Sequence, residues 1–420
     1  MFGCPGPKSP EAPIGSLTLE IGRDGGALRG VAGDLDGTYA AITSFADSPR
    51  TTIEARRKAA ITWQATLAGT SGPLARAGDQ LAVTLGGNGT VAELPLRGTP
   101  GAVVITFDAL TGAPRWKLAI DASEWAVITS IAPIGTGFVV GGSFAGTLRA
   151  ATKIVSSAGK IDGFVARLSA KGEVEWLIRT GGANADAITG VAVLVGAGAE
   201  RIAITGTFAT GAELQGEPFV AFDDKSPAVD VFVAELDGKG SRKWSASFGG
   251  KLDDSSSGVA IDAKGRVAVA ATVRDKLKVD TADISTNGPS DGLVVFYNRD
   301  GSPGGSVVLG GEALDGLHGI AAAGPRIVVG GFYAGTIQVG REKITAQGDD
   351  AFFAILDGTK VDAVWPVRGA GREEVVAISP LLARGFVAGI GHTAAATIFG
   401  QPLASPKDPA SGAGLVVRAF

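Results

Sequence analysis

One stretch of about twenty residues recurs along this chain. Its clearest copies, at 163–182, 231–250 and 292–311, read GFVARLSAKGEVEWLIRTGG, VFVAELDGKGSRKWSASFGG and GLVVFYNRDGSPGGSVVLGG. In each copy an apolar anchor is followed eight residues later by a glycine and seventeen residues later by the first glycine of a Gly-Gly pair. A repeat on this scale denotes one supersecondary unit used many times, and a single unit cannot bury its apolar face alone. The chain must therefore fold as a repeat architecture.

The other copies are degenerate but keep the same order of features. They lie at 51–69, 101–120 and 351–371, with a truncated copy at 414–420, so the sequence predicts seven copies. Each copy predicts two strands around a glycine-containing turn, because apolar and β-branched runs flank turn-forming residues. Five of the six tryptophans fall in the second of these strands, and we expect them to pack between neighbouring units: Trp63, Trp116, Trp176, Trp244 and Trp365.

Two more strands are predicted between copies, most clearly at 258–273 and 319–333. The unit is then four strands, and seven units predict an all-β fold, a seven-bladed β-propeller of four-stranded antiparallel blades. The last copy lacks its fourth strand, while residues 16–22 look like a fourth strand without a partner. We therefore expect the N-terminal strand (about 16–22) to pair with the C-terminal strand (about 414–420) and close the ring. Residues 16–420 would form this single domain, preceded by a flexible Pro-rich tether at 1–15.

The repeats resemble the bacterial β-propeller repeats of the SBBP type, in which an aspartate, an apolar triplet, Leu-Asp, Gly, Trp and Gly-Gly follow in order. The copy FDALTGAPRW at 107–116 is closer to the quinoprotein-like propeller repeat (PQQ-like). The resemblance covers roughly residues 16–420. It implies an exported or surface-located bacterial protein and does not imply catalysis, since fold alone does not determine function.

Composition excludes several classes of protein. The 38 basic and 42 acidic residues leave a net charge of −4, which disfavours nucleic acid as a partner. One Cys and two His exclude a disulfide framework, a zinc ribbon and a Cys-ligated iron–sulfur cluster, and we predict no cofactor. The uncharged stretch 125–146 is long enough for a membrane span, but Pro133 and its neighbouring glycines predict two strands and a turn instead.

The single cysteine, Cys4, follows Phe2 and Gly3, which resembles the end of a bacterial lipobox. That resemblance implies a lipid-anchored N-terminus with the Pro-rich stretch as its spacer. The alternative is a disordered N-terminus with an ordinary thiol.

Acidic residues recur in the connections that lead into the innermost strands. Asp186, Asp254 and Asp315 each lie four residues after the second glycine of their Gly-Gly pair, and Glu374 holds nearly the same place. One interpretation is an acidic rim at the channel mouth that binds a cation or a basic partner. The other is that each carboxylate accepts backbone N–H bonds and fixes its own loop.

Two further features bear on recognition. The connections between second and third strands are long and dissimilar at 209–230, 274–291 and 392–413, so we expect their face of the propeller to carry recognition. Trp125 lies outside the repeated tryptophan position and is the candidate exposed aromatic contact. His318 and His392 have no second His or Cys at ligand spacing, and we predict no metal site there.

The resulting hypothesis is a non-enzymatic binding or scaffold module of the bacterial cell envelope, periplasmic or surface-exposed, which binds a protein partner. The alternatives are a glycan-binding propeller, and a quinoprotein-like, hydrolase or lyase enzyme. No residues can be assigned from the sequence to the calcium site or the base that a quinone enzyme needs.

Overall fold

The fold is given by a computed structural model, which describes residues 17–21, 26–33, 37–45, 48–57, 60–86, 90–91, 94–95, 101–196, 198–223, 228–381, 385–398, 401–403, 405 and 413–419. The regular structure of this part is forty strands, numbered β1 to β40 in chain order. Each sheet of the ring is named by its first strand, which is the strand that lines the central channel.

Five sheets contain six antiparallel strands each. The β6 sheet has β6 (Thr70–Ala77), β7 (Gln80–Gly86), β10 (Gly101–Asp108), β11 (Pro114–Ala122), β14 (Thr147–Ala150) and β15 (Lys153–Ser156). The β12 sheet has β12 (Trp125–Ile134), β13 (Gly137–Ala145), β16 (Asp162–Leu168), β17 (Val174–Gly181), β20 (Glu213–Leu214) and β21 (Glu217–Pro218). The β18 sheet has β18 (Ala187–Gly196), β19 (Ala199–Phe208), β22 (Asp230–Asp237), β23 (Arg242–Gly250), β26 (Lys276–Val279) and β27 (Ala282–Ser285). The β24 sheet has β24 (Ser255–Ile261), β25 (Val267–Val273), β28 (Asp291–Tyr297), β29 (Pro303–Gly311), β32 (Thr336–Val339) and β33 (Glu342–Thr345). The β30 sheet has β30 (Asp315–Ala323), β31 (Arg326–Tyr333), β34 (Asp350–Asp357), β35 (Lys360–Gly369), β38 (Ala396–Ile398) and β39 (Gln401–Leu403).

Two sheets contain four strands, and one isolated hairpin contains two. The β2 sheet has β2 (Gly26–Gly33), β3 (Thr38–Ser44), β4 (Arg50–Arg57) and β5 (Ala60–Ala68). The β36 sheet has β36 (Glu373–Leu381), β37 (Gly385–His392), β40 (Ala413–Ala419) and β1 (Leu17–Ile21). The hairpin has β8 (Thr90–Val91) and β9 (Leu94–Pro95).

The sheets form a closed ring around a central channel. Each first strand packs against the first strand of the next sheet, and β36 packs against β2. The two strands predicted in the uncharged stretch 125–146 are β12 and β13. This arrangement is a β-propeller.

The predicted uniform architecture of seven four-stranded blades is wrong, because only two sheets of the ring have four strands and five have six. The additional strands are short hairpins within the connections between second and third strands. The hairpin β26–β27 leaves the β24 sheet and pairs with β23 of the preceding sheet, with Phe248 opposite Val279. Burial of Leu277 and Ile337, at 1% and 0% exposure, shows that these segments belong to the core. Much of each of these long connections is therefore part of a sheet.

The ring is closed by the two ends of the chain. Leu17 pairs with Arg418 and Ile21 pairs with Gly414, so β1 runs antiparallel to β40. This is the pairing expected from the sequence. Residues 1–16 lie outside the described residues, and the proposed division between tether and domain stays a prediction.

The repeated tryptophans join neighbouring sheets, as predicted. Trp63 of β5 donates its indole N–H to the Ala109 carbonyl of the β6 sheet at 3.0 Å. Trp116 and Trp176 repeat this bond to the carbonyls of Ala170 and Gly238, at 2.9 and 3.1 Å. The turn that receives Trp63 has Gly112 at a φ of 74°. A Cβ there would lie 2.7 Å from the indole, so the turn needs glycine.

Candidate functional site

The two faces of the propeller differ in their connections. The connection face carries the segments that lead into the first strands, such as 251–254 and 312–314, and those that join second to third strands. The turn face carries the hairpin turns from first to second and from third to fourth strand, such as 262–266 and 298–302.

The three aspartates expected to form an acidic rim are buried, with exposures of 2% for Asp186, 2% for Asp254 and 0% for Asp315. The Asp315 carboxylate accepts the backbone N–H groups of Gly311 and Ala334 at 2.7 and 3.0 Å. Asp186 accepts from the corresponding two backbone positions, and Asp254 accepts from the Arg274 N–H at 3.0 Å. These side chains point at loop backbone, and none of them lines the channel. Their proposed role in ligand binding stays untested.

Each of these aspartates faces a second buried acid at the first residue of a third strand in the preceding sheet. Asp162, Asp230 and Asp291 hold that position and are 0 to 2% exposed. At the first glycine of one Gly-Gly pair, Gly181, an added Cβ would lie 2.9 Å from an oxygen of both Asp162 and Asp186. The first glycine thus leaves room for two carboxylates between sheets, which the sequence spacing did not reveal.

Burial changes the protonation of these pairs. Desolvation, together with the negative charge of Asp230, raises the pKa of Asp254 to about 7. Desolvation likewise raises the pKa of Asp230 to about 6 and that of Asp315 to about 6. Asp230 Oδ1 and Asp254 Oδ2 have no hydrogen-bond partner in the described part of the chain. A proton held between two such carboxylates relieves their repulsion.

Glu374 does not share the position of the aspartates; Glu373 does. The Glu373 N–H bonds to the Asp349 carbonyl at 2.8 Å, as the Asp315 N–H bonds to that of Ser290 at 3.0 Å. Glu373 is 0% exposed, and desolvation followed by its interaction with Asp350 raises its pKa to about 8. The partly exposed Glu374 instead pairs with Arg372 at 3.1 Å. In this copy Gly-Ala-Gly at 369–371 replaces the Gly-Gly pair. Counting from the glycines therefore selects Glu374, one residue after the position that corresponds to the aspartates.

The central channel has a volume of about 360 Å³ and is lined by the first strands. Each first strand has a register shift near its middle, and six of these β-bulges leave one residue unpaired at the channel: Arg29, Thr129, Thr189, Ser257, His318 and Val376. Sequence reasoning missed this ring, because a bulge has no composition signal beyond a small or polar residue.

Bulge residues bond to the next sheet around the channel. Thr129 Oγ1 donates to the Ile188 carbonyl at 2.5 Å, and Ser257 Oγ donates to the Leu317 carbonyl. His318 Nδ1 lies 3.3 Å from the Val375 carbonyl, so this nitrogen carries the proton. Among the described residues, the lining contains arginine and histidine but no carboxylate.

Apolar side chains are exposed on the connection face. Phe45, Leu252 and Leu314 have exposures of 49%, 48% and 58%. The Arg29 guanidinium lies 5.1 Å from the centroid of the Phe45 ring. Trp125, the first residue of β12, is partly buried on this face, and Val127 of the same strand is 37% exposed.

Charged side chains of the turn face form ion pairs with one another. Asp357 of the β30 sheet pairs at 2.7 Å with both Lys264 and Arg266 of the adjacent β24 sheet. Arg115 pairs at 2.6 Å with both Asp79 and Asp108. This face is therefore tied together by ion pairs as well as by the tryptophans.

Two residues singled out from the sequence remain, Cys4 and His392. Cys4 lies outside the described residues. His392 is buried, and its Nδ1 donates to the Ala394 carbonyl at 2.9 Å. Within the described ranges, no group of three His, Cys, Asp or Glu side chains is placed to hold a metal ion, and no helix could span a membrane.

The chain matches no model of a known protein family, and no curated protein matches it either. The SBBP-type resemblance therefore stays a prediction. Among solved structures the chain is similar to BamB from Moraxella catarrhalis, with 14% identity, a TM-score of 0.40, and coverage of 97% of this chain and 99% of that one.

Two enzymes are similar to a comparable degree. A europium-containing methanol dehydrogenase has 11% identity and a TM-score of 0.42, and the similarity covers 96% of this chain and 93% of that one. A polysaccharide lyase of family PL25, an ulvan lyase, has 11% identity, a TM-score of 0.44 and 91% coverage of both chains. At these identities the likeness concerns the propeller fold alone.

Proposed function

We propose that this protein is a non-enzymatic binding or scaffold module that recognises a protein partner with its connection face. The observation that carries the proposal is the exposure of Phe45, Leu252 and Leu314 on that face. Large apolar side chains exposed on one face supply contact area in protein interaction sites.

The turn face also exposes Leu110 and Val195, at 54% and 57%, so the choice between the two faces rests on charge. Charged groups there pair with one another across sheets, as Asp357 does with Lys264 and Arg266. The Arg29 guanidinium, stacked on Phe45, supplies a positive group beside the apolar side chains of the connection face. Aromatic and arginine side chains are enriched where binding energy concentrates.

A photo-crosslinking experiment tests the proposal. A photoreactive amino acid is placed at Leu252 or Leu314 and the protein is incubated with the envelope fraction of its source cells. One discrete adduct is expected from these positions. The matched control carries the same group at Val195, which is 57% exposed on the turn face, and should give no adduct.

A double variant, L252D/L314D, should reduce the adduct formed by a photoreactive group at Phe45 by at least about tenfold, because it places two charges in a desolvated contact. The paired variant L110D/V195D, with both changes on the turn face, should leave it unaltered. Equal labelling from both faces, or none from either, would contradict the proposal.

We also propose that the module works in the bacterial cell envelope and is anchored through Cys4. The support is the SBBP-type resemblance and the Phe-Gly-Cys sequence at 2–4. Mass analysis of the native protein from source membranes should find an acylated Cys4. An unmodified thiol would contradict the anchor and leave the binding function untouched.

A further inference from the structure

The outer edge of β5 is unlike the other long outer strands of the ring. β5 is nine residues long and is the last strand of the β2 sheet. The fourth strands β11, β17, β23, β29 and β35 are each hydrogen-bonded at one end to a hairpin from the next sheet. No described strand bonds to the outer side of β5, and the hairpin β8–β9 forms a separate sheet beside it.

The side chains of β5 also lack the features that normally protect an edge. Three other fourth strands carry a charged residue directly before their tryptophan: Arg115, Glu175 and Lys243. In β35 Val364 holds that place, and the strand carries Asp362 and Pro366 on either side of it. β29 has Pro303 followed by two glycines. β5 has Thr62 at that place, and residues 61–75 contain no charge and only one proline, Pro73, beyond the strand. Charged residues and proline are the usual means of blocking strand addition.

The exposed positions of β5 suit an added strand. Thr62, Gln64 and Thr66 alternate on one face and are exposed, and Ile61 is 42% exposed. β-branched and amide side chains in alternation are compatible with cross-strand packing. An extended peptide here would satisfy the outward backbone groups of β5.

The charge beside this edge selects the occupant. Arg50 is opposite Ala68 and Arg57 is opposite Ala60, so an exposed arginine lies near each end of β5. The only acid of β4, Glu54, is buried and paired with Arg56 at 2.8 Å. A second copy of this chain would bring the same cations together, whereas an acidic strand would pair with them.

We infer that β5 is a docking edge that adds an extended, acidic segment of a partner protein as the fifth strand of the β2 sheet. This edge lies on the outer rim, and only Arg50, at the start of β4, borders the connection face. The inference uses none of Phe45, Leu252 and Leu314, so it goes beyond the proposed function and is tested separately from it.

The test measures binding of a fluorescent nine-residue peptide, Glu-Thr-Val-Thr-Val-Thr-Val-Thr-Glu, to the full chain by anisotropy. Saturable binding is expected, with amide exchange slowed in β5 and unchanged in β11. A peptide with lysine at both ends should bind at least about tenfold more weakly. A peptide N-methylated through its centre should not bind, because it cannot form the ladder.

Variants locate the edge. T62K installs the kind of charge that three other fourth strands carry at this place and should weaken binding by about tenfold or more without unfolding the protein. T397K, on an exposed position of β38, is the matched control and should bind normally. The double variant R50Q/R57Q should remove the preference for glutamate over lysine.

Three results would overturn the inference. They are the absence of binding, equal binding of the methylated peptide, and equal binding by T62K. Concentration-dependent dimerisation of the unliganded chain that T62K abolishes would assign the edge to a second copy instead.

Discussion

The turn face and the connection face both contain contacts that join one sheet to the next, but the chemistry of these contacts differs. The turn face uses indole N–H bonds such as that from Trp63 to the Ala109 carbonyl, and partly exposed ion pairs such as that of Asp357 with Lys264. The connection face uses buried carboxylates such as Asp254 and Asp230, whose pKa values are raised by desolvation. One face is held by contacts compatible with water, and the other carries buried acids whose ionisation costs stability. The difference predicts that the two faces respond differently to mutation and to pH.

The largest effect should come from W63A on the turn face. Trp63 is 9% exposed and its ring packs on Gly112, so truncation leaves a cavity. It also removes one of the two donors to the Ala109 carbonyl, which keeps the hydrogen bond from the Tyr39 hydroxyl at 3.1 Å. We expect a loss of about 3 to 5 kcal/mol in the free energy of unfolding, measured in urea. W63F, which keeps an aromatic ring but loses the N–H, should cost about 1 kcal/mol. Equal losses for both variants would show that the hydrogen bond, not the packing, joins the sheets.

The next effect should come from G310A on the connection face. A Cβ at Gly310 would lie 2.2 Å from Asp291 Oδ1, so the buried carboxylate must move. We expect a loss of about 1 to 3 kcal/mol in denaturant unfolding. G86A is the matched control, because a Cβ at Gly86 meets nothing within 4 Å, and it should stay within about 0.5 kcal/mol of the parent.

The pH dependence should separate the faces most directly. The pKa of Asp254 is raised to about 7, so its folded form binds a proton that the unfolded chain has lost. Its contribution to stability is complete below the unfolded pKa of about 4 and is lost as pH rises towards 7. D254N keeps the acceptor for the Arg274 N–H and removes the charge.

D254N should therefore be more stable than the parent at pH 8 by about 1 to 2 kcal/mol, and its stability should fall less between pH 5 and 8. Thermal unfolding across that range measures both quantities. Parallel pH profiles for parent and variant would refute the buried carboxylate pair.

The smallest effect should come from D357N on the turn face. Hydrogen bonds from Lys264 and then Arg266 lower the pKa of Asp357 to about 2. The pH dependence of its contribution to stability is the reverse of that of Asp254. The stabilisation by Asp357 is present above the unfolded pKa of about 4 and is lost as pH falls towards 2. Because Asp357 is 39% exposed, solvent screening limits the cost of D357N to about 0.5 to 1 kcal/mol at pH 7. An equal cost at pH 2 would contradict an ionic origin.

Local patterns predicted local structure well in this chain. The strand pair around each repeated tryptophan follows from alternation and a glycine turn, and the strands β24 and β25 follow from apolar runs at 258–273. The pairing of β1 with β40 was also predictable, because each end of the repeat series lacked what the other supplied.

What escaped prediction depends on contacts between sheets. The hairpin β26–β27 reads as a loop, since its strands are four residues long and their partner β23 belongs to another sheet. Glu373 was passed over for Glu374 because spacing was counted from a Gly-Gly pair that this copy lacks. The position of Arg29 at a bulge follows from register, which apolar periodicity does not specify.

The hairpins that cross from one sheet to the one before it also bear on how such a chain can grow. A duplicated stretch of gene that spans one sequence repeat encodes strands for its own sheet together with a hairpin such as β32–β33, which completes the neighbour already present. The sequence repeat and the sheet therefore do not cover the same strands. A newly copied repeat arrives with its own means of attachment to its predecessor.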